Sequence, residues 1–330
     1  MMGTLTRGRS GVVARRPDIS KGMSSVDVLK WLLDSDPAIR WQVLRDLADE
    51  PEEVFERERS RVAAVGLGVE LLALQQPAGG WGVPSPTTYH ETPDGSATHV
   101  LALLLDFGLD PASEPARTAL GRVRDRITHY HDGQRYFDGE VEPCINGRVV
   151  AAGAYFGQPC DGVVERLLGE QLEDGGWNCE APPSTRSSFH STICMLEGLL
   201  QYEWANGPVP GVSEARLRGQ AYLLERGMFR SRSTGAVIDS EWLRFAYPCG
   251  YHYDVLRGLD YLWRAGASPD DRVAEAVELV RRNRGDDGRW PLQVSHADCF
   301  PRDLGEAPGA PSRWVTLRAL RVLRWAERSA

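Results

Sequence analysis

A glutamine six residues ahead of a tryptophan, with Gly-Gly just before the indole, occurs twice, as Gln75-Gln-Pro-Ala-Gly-Gly-Trp81 and Gln171-Leu-Glu-Asp-Gly-Gly-Trp177. A reduced third copy reads Asp287-Gly-Arg-Trp290. Each copy follows one helix-like run and precedes another. A helix–turn–helix unit that recurs in this way defines a repeat architecture, in which neighbouring units bury what one unit alone cannot. Strand signals are scarce: Ala, Leu, Arg and Glu fill the long segments, and alternating β-branched runs are nearly absent. The fold class expected is all-α.

The pattern predicts helices over 26–33 and 38–48, 52–74 and 96–107, 114–129 and 146–156, 160–172 and 188–202, 213–226 and 251–264, 270–283 and 312–327. Ser24 or Ser25 would cap the first. Pro37 opens the second at its first position, where a missing N–H costs nothing. These are six pairs at a pitch of roughly 50 residues. First members are amphipathic, with one wet face. Second members, such as Val149-Val-Ala-Ala-Gly-Ala-Tyr155, are apolar or small nearly all round, so both sides should be buried. Six doubly buried helices inside six half-wet ones make an (α/α)6 toroid. An open solenoid is the rival arrangement, but it would carry polar capping repeats at its ends.

A net charge of −8 argues against a nucleic-acid partner, which would need a basic face. Six widely spread cysteines in a chain of 330 residues read as reduced thiols. No apolar run approaches the roughly 18–20 residues that span a bilayer, so no integral membrane segment is expected. Residues 1–22 carry Arg7, Arg9, Arg15, Arg16 and Lys21 with no apolar stretch behind them. They read as a disordered tail rather than a secretory signal, with Met23 an alternative start and 23–330 a single toroid domain. A cytoplasmic protein is expected.

The Gln/Gly-Gly-Trp turns and the Phe189-His-Ser-Thr192 start of the following helix resemble the terpenoid cyclase and protein prenyltransferase toroids. The resemblance covers about residues 24–328. The stretches 177–200 and 311–325 are also similar to bacterial prenyltransferase/squalene-oxidase repeat proteins, a label that describes repeats and names no reaction. The resemblance implies that each glutamine bonds a neighbouring outer helix while the tryptophan stacks over it. It also implies a central cavity for a small, largely apolar, isoprenoid-like molecule. Squalene cyclases protonate their alkene with an Asp-x-Asp-Asp acid, and no such run exists here: Ser268-Pro-Asp-Asp271 lacks the first acid and opens an outer helix. They also carry two barrels, and this chain has length for one. Protein prenylation would need a separate helical partner subunit, and no feature of the sequence announces one.

In a toroid the inner helices run the same way, and six positive helix ends at one mouth favour an anion. The expected site therefore draws on inner-helix starts. Protein prenyltransferases bind zinc with an Asp-x-Cys at one such start and a histidine at the next. The resemblance maps these onto Glu142-Pro-Cys144 and His190, which lies 46 residues on, with Cys179 a further candidate ligand. Carboxylate, thiolate and imidazole are competent Zn2+ ligands, and a fourth protein ligand would turn a catalytic metal structural. The plain alternative is that Cys144 is a small buried residue and His190 a helix-start polar group.

His252 and Asp254, at the fifth inner start, read either as a general base with its carboxylate partner or as support for the helix N-terminus. Glu140 pairs with Glu142 as an acid pair of the kind glycoside cleavage uses, or as a solvated edge. Arg148 and Arg313 would hold a diphosphate or carboxylate. His99, Trp41 and Trp314 would line the pocket, although tryptophans such as Trp41, Trp242 and Trp314 more commonly pack between helices. His90, His129 and His131 read as surface histidines. His296, Asp298 and Cys299 share a loop before the last inner helix. The partner expected is a small-molecule ligand; a non-catalytic binding or scaffold ring and a carbohydrate-active (α/α)6 enzyme are the alternatives.

Overall fold

The computed structural model describes residues 25–82, 97–129, 131, 133–296 and 300–328. The tail 1–22, Ser24, His90, Asp298 and Cys299 lie outside them. Among the described residues there are thirteen α-helices and no strand, only isolated bridges. All twelve predicted segments are present. The third is divided into α3 (Glu52–Arg59), a 3-10 turn (Ser60–Ala63) and α4 (Leu67–Ala73). Gly66 makes the break at φ +78, a conformation that L side chains rarely adopt.

The inner positions are α2 (Pro37–Asp46), α5 (Ala97–Asp106), α7 (Pro143–Tyr155), α9 (Phe189–Asn206), α11 (Val255–Arg264) and α13 (Arg313–Glu327). The outer ones are α1 (Ser25–Leu33), α3 with α4, α6 (Glu114–Arg126), α8 (Asp161–Gly169), α10 (Pro210–Leu224) and α12 (Ala274–Arg282). Burial separates the two layers as the side-chain patterns require. Every residue of α11 from Val255 to Leu262 is buried, whereas α3 buries none and α12 only Ala276, Val277 and Val280. Pro37 stands where predicted, behind Asp36, whose carboxylate accepts from Ala38 N at 2.8 Å.

The ring closes. Trp41 Nε1 donates to Phe107 O at 2.8 Å and Gln42 Nε2 to Asp106 O at 3.0 Å, joining α2 to the end of α5. Inner neighbours α5, α7, α9, α11 and α13 then pack in order, and α13 returns to α2. Arg321 there bonds Gln42, and Arg324 Nη1 donates to Asp46 O at 2.8 Å. First and last helices touching excludes an open stack. The tightest seam is α7 against α9, where Gly147 and Gly198 face one another. A Cβ built on Gly198 would fall 2.2 Å from Gly147 O, and one on Gly147 would fall 2.5 Å from Cys194 O.

The repeated turns hold the outer layer. Gln75 Nε2 donates to Gly79 O (2.9 Å) and across to Ala119 O on α6 (3.0 Å); Gln171 Nε2 donates to Gly175 O (2.7 Å) and to Ala215 O on α10 (2.8 Å). Trp81, Trp177 and Trp290 each donate their indole N–H to a carbonyl ten residues back, at 2.7, 2.8 and 2.7 Å. In the reduced copy Arg284 occupies the glutamine position and Arg284 Nε donates to Gly288 O at 3.0 Å. That turn packs on α1, with Gly288 against Val28 and Arg289 4.2 Å over the Trp31 ring. The worn motif is thus the one that joins the last outer unit to the first.

Candidate functional site

The ring encloses two chambers along its axis. The N-terminal chamber takes His99, Arg148, Cys194, Arg257 and Arg318 from the first two turns of five inner helices. The C-terminal chamber takes Tyr155, Trp204, Trp263 and Arg321 from later turns of α7, α9, α11 and α13, and Trp41 from the middle of α2. The inner helices therefore run in one direction, as their shared character predicts. Asp106, Gln201 and Arg264 line both chambers and form the neck between them.

The N-terminal chamber is open to solvent at one end. Its apolar wall is Ala102, Leu103, Leu105, Ala151, Pro248 and Phe300. Its charge is unbalanced, with four arginines (Arg148, Arg257, Arg264, Arg318) facing two carboxylates (Asp106, Glu197). Arg257 grips Glu197 with both ends of its guanidinium, at 3.0 and 2.6 Å, and donates to the carbonyl of His252 at 2.6 Å. Arg318 Nη2 lies 2.9 Å from Asp106, which also accepts from the Tyr247 hydroxyl at 3.0 Å. Arg148 and Arg264 have neither ion pair nor hydrogen bond among the described residues. Arg264, at the neck, lies over the Trp204 ring at 5.2 Å, so the guanidinium left uncommitted beside the apolar wall is that of Arg148.

His99 sits on this wall, 5% exposed, with Nδ1 unbonded among the described residues and its ring edge-on to Phe300 at 5.7 Å. Burial, with Arg148 and His252 nearby, lowers its pKa to about 3. A histidine held far below its unfolded value must stay neutral to fold. Its contribution is fully present above about pH 6.5 and is lost as pH falls towards 3, at up to about 1.4 kcal/mol per pH unit. Urea unfolding at pH 7, 6 and 5 should therefore show a loss on acidification that His99→Phe makes shallower; an unchanged slope would contradict the neutral buried imidazole.

Of the four candidate metal ligands the structure brings three together. Glu142, Cys144 and Cys179 present ligand atoms all within 4.8 Å of one another. Glu142 caps α7 without a side-chain bond to the helix and accepts from the Cys144 thiol at 3.5 Å. Cys179 arrives because the chain after Trp177 folds back onto Ser188, placing its thiol 3.2 Å from the Ser191 hydroxyl. The neighbouring Cys144 holds the Cys179 thiol below its usual pKa, and contact with Cys179, with burial, pushes Cys144 up. His190 is not in this group. One residue of helix turns the side chain by about 100°, so Ser191 meets Cys179 while His190 Nδ1 accepts from Tyr253 N at 2.8 Å on the next seam.

The remaining candidates separate. Asp254 is the N-cap of α11: it accepts from Arg257 N at 2.8 Å and Ala246 N at 3.1 Å, is 3% exposed, and burial raises its pKa to about 6. Those bonds are structural. His252 stays near the mouth, half-buried and stacked between Tyr251 (4.1 Å) and His296 (3.8 Å). Glu140 is 1% exposed and accepts from Glu142 N at 2.8 Å while bonding His131, so the two acids adjoin instead of flanking a substrate bond. Arg313 points outward: its Nη2 donates to Asp34 O at 3.1 Å and it stacks 4.7 Å over Trp31, capping α1. Trp314 is core, stacked on Tyr247 at 4.5 Å and Phe107 at 5.3 Å. Trp41 faces the C-terminal chamber, and Trp242 packs on Phe189 at 4.5 Å. His129 is buried, its ring 5.2 Å from Tyr136 and Nε2 2.8 Å from that residue's carbonyl, not a surface histidine.

The charged axis itself is what sequence reasoning misses. Arg257, Asp260 and Arg264 on α11, Arg318 and Arg321 on α13, and Glu197 and Gln201 on α9 fall at steps of three or four within inner helices. Charges on one stripe of a doubly buried helix are the informative observation, since such residues are almost never buried unpaired.

Neither a protein-family model nor a curated protein matches the chain. Among solved structures it is similar to the type II terpene cyclase MstE from Scytonema in its apo form, with 15% identity, 89% of each chain covered and a TM-score of 0.45. It is similar also to a variant of that cyclase in complex with geranylgeranyl dihydroxybenzoate (15% identity, 89% of this chain and 87% of that one, TM-score 0.47). A third match is a variant in complex with merosterolic acid A (14%, 93% and 100%, 0.44). At such identity the likeness concerns the fold alone. Among the described residues no helix is long and apolar enough to cross a membrane.

Proposed function

We propose that this chain is a terpenoid-cyclase-like toroid enzyme whose N-terminal chamber binds a small amphipathic anion, an isoprenoid chain ending in a diphosphate or carboxylate. One observation carries the reading: Arg148 stands without a counter-ion beside an apolar wall, in a chamber with two more positive than negative groups. Arg148 would take the anion, and a charge-assisted contact of this kind is about twice as strong as a neutral one. Arg257 and Arg318, already paired, hold the wall in shape. Leu103, Leu105 and Phe300 would cover the chain and exclude water. Calorimetric titration with farnesyl diphosphate should show binding at least tenfold tighter than with uncharged farnesol; equal affinity would refute an anion site.

The corner of Glu142, Cys144 and Cys179 belongs to this reading. Its donors fit zinc by their chemistry, one carboxylate and two thiols within reach of one ion. Three protein ligands leave a position open, and a zinc ion there would supply Lewis acidity. Cys144 and Arg148 are four residues apart on α7, on one face of the helix, so the corner and the anion contact lie along the same stripe. Protonation by an Asp-x-Asp-Asp acid is not part of the proposal, because the sequence has no such run. Elemental analysis should find about one zinc per chain, lost in Cys144→Ala and in Cys179→Ala but kept in His190→Ala. Metal that departs with His190 instead would restore the histidine as a ligand.

A further inference from the structure

The C-terminal chamber is absorbed by none of this. It lies at the opposite end of the ring and has a volume of about 460 Å3. Three tryptophans line it, each with a guanidinium over its ring: Arg264 over Trp204 at 5.2 Å, Arg321 over Trp263 at 4.9 Å, and both Arg45 (4.5 Å) and Arg59 (5.7 Å) over Trp41. Trp204 is 53% exposed, a large indole at the rim. In contrast to the other chamber, its four arginines face four carboxylates, so it attracts neither ion sign in excess.

Its deepest wall is an incomplete ion cluster. Arg321 Nη2 lies 2.7 Å from Asp46 and Arg321 Nη1 lies 3.7 Å from Asp260 Oδ1, too far for a hydrogen bond. Asp260 Oδ1 and Arg321 Nε are both buried with no hydrogen-bond partner among the described residues, in side chains that are 8% and 4% exposed. A bare acceptor and a bare donor stand together. Leaving each unsatisfied is costly in a buried site, and a group that donates and accepts at once would satisfy both. A hydroxyl is such a group. An ammonium would serve only the carboxylate, and a carboxylate only the guanidinium.

We infer that the C-terminal chamber is a second ligand site, for a neutral polyhydroxylated molecule such as a polyol or small saccharide. Its hydroxyls would meet Asp260 and Arg321, and its C–H face would lie against Trp204 and Trp263.

The test is calorimetric and fluorescence titration of the full chain with maltose and myo-inositol, and with tetramethylammonium and sulfate as ionic probes. At least one polyol should bind with a Kd on the order of 1 mM or tighter and change the tryptophan emission. Trp204→Ala, a rim substitution that spares the fold, should weaken it at least tenfold, and Asp260→Asn likewise. Arg148→Ala should leave it unchanged, so this inference and the anion reading fail separately. Binding of neither polyol, binding indifferent to Trp204→Ala, or preference for either ionic probe would overturn it.

Discussion

Replacing Gly198 by valine should cost the ring about 3 kcal/mol or more, a large share of the roughly 5–15 kcal/mol that keeps a domain folded. The α7–α9 seam has no room: a first carbon at position 198 would sit 2.2 Å from the carbonyl of Gly147, which is backbone and cannot rotate away. Helices α7 and α9 would have to part, and every layer against them would loosen. Gly121 supplies the control. It lies within α6 with nothing inside 4 Å of a built Cβ, so alanine there should stabilise by about 0.5–1 kcal/mol through helix propensity. Urea midpoints for Gly198→Val, Gly198→Ala and Gly121→Ala would show loss, loss and gain. A gain at position 198 would mean that the seam is looser than described.

Arg148→Ala should weaken binding of farnesyl diphosphate by about 100-fold, the order expected when one partner of a desolvated charge contact is truncated. Arg313→Ala should change it by less than about twofold, because that guanidinium caps α1 and faces away from the chamber. The two arginines are equivalent on sequence grounds, each near the start of an inner helix. Only their positions around the helix separate them. The contrast therefore tests the chamber and not merely positive charge.

Helix order, the two layers and the turns are legible because they are periodic. A Gln–Trp spacing of six and an alternation of half-wet with fully buried helices survive in one dimension. Even the replacement of glutamine by Arg284 keeps its spacing and its local bond. The site is legible only in part. Cys144 and Cys179 meet because the loop after Trp177 doubles back, an event that sequence separation does not encode. His190 begins the right helix for a metal ligand, but it is the residue beside it that faces the thiols. Asp254 is acidic for its helix cap, and Trp314 is aromatic for the core. The charged stripes on α9, α11 and α13 are visible in one dimension, spaced as one face of a helix, yet arginine in a polar-looking run reads as solvent-facing until the ring is known to close.

The most direct test of the central claim is a crystal structure of the full chain soaked with farnesyl diphosphate. The diphosphate should lie against Arg148 in the N-terminal chamber, with the chain along Leu103, Leu105 and Phe300. Ligand bound on the outer helices, or a chamber that keeps only solvent at saturating ligand, would contradict it.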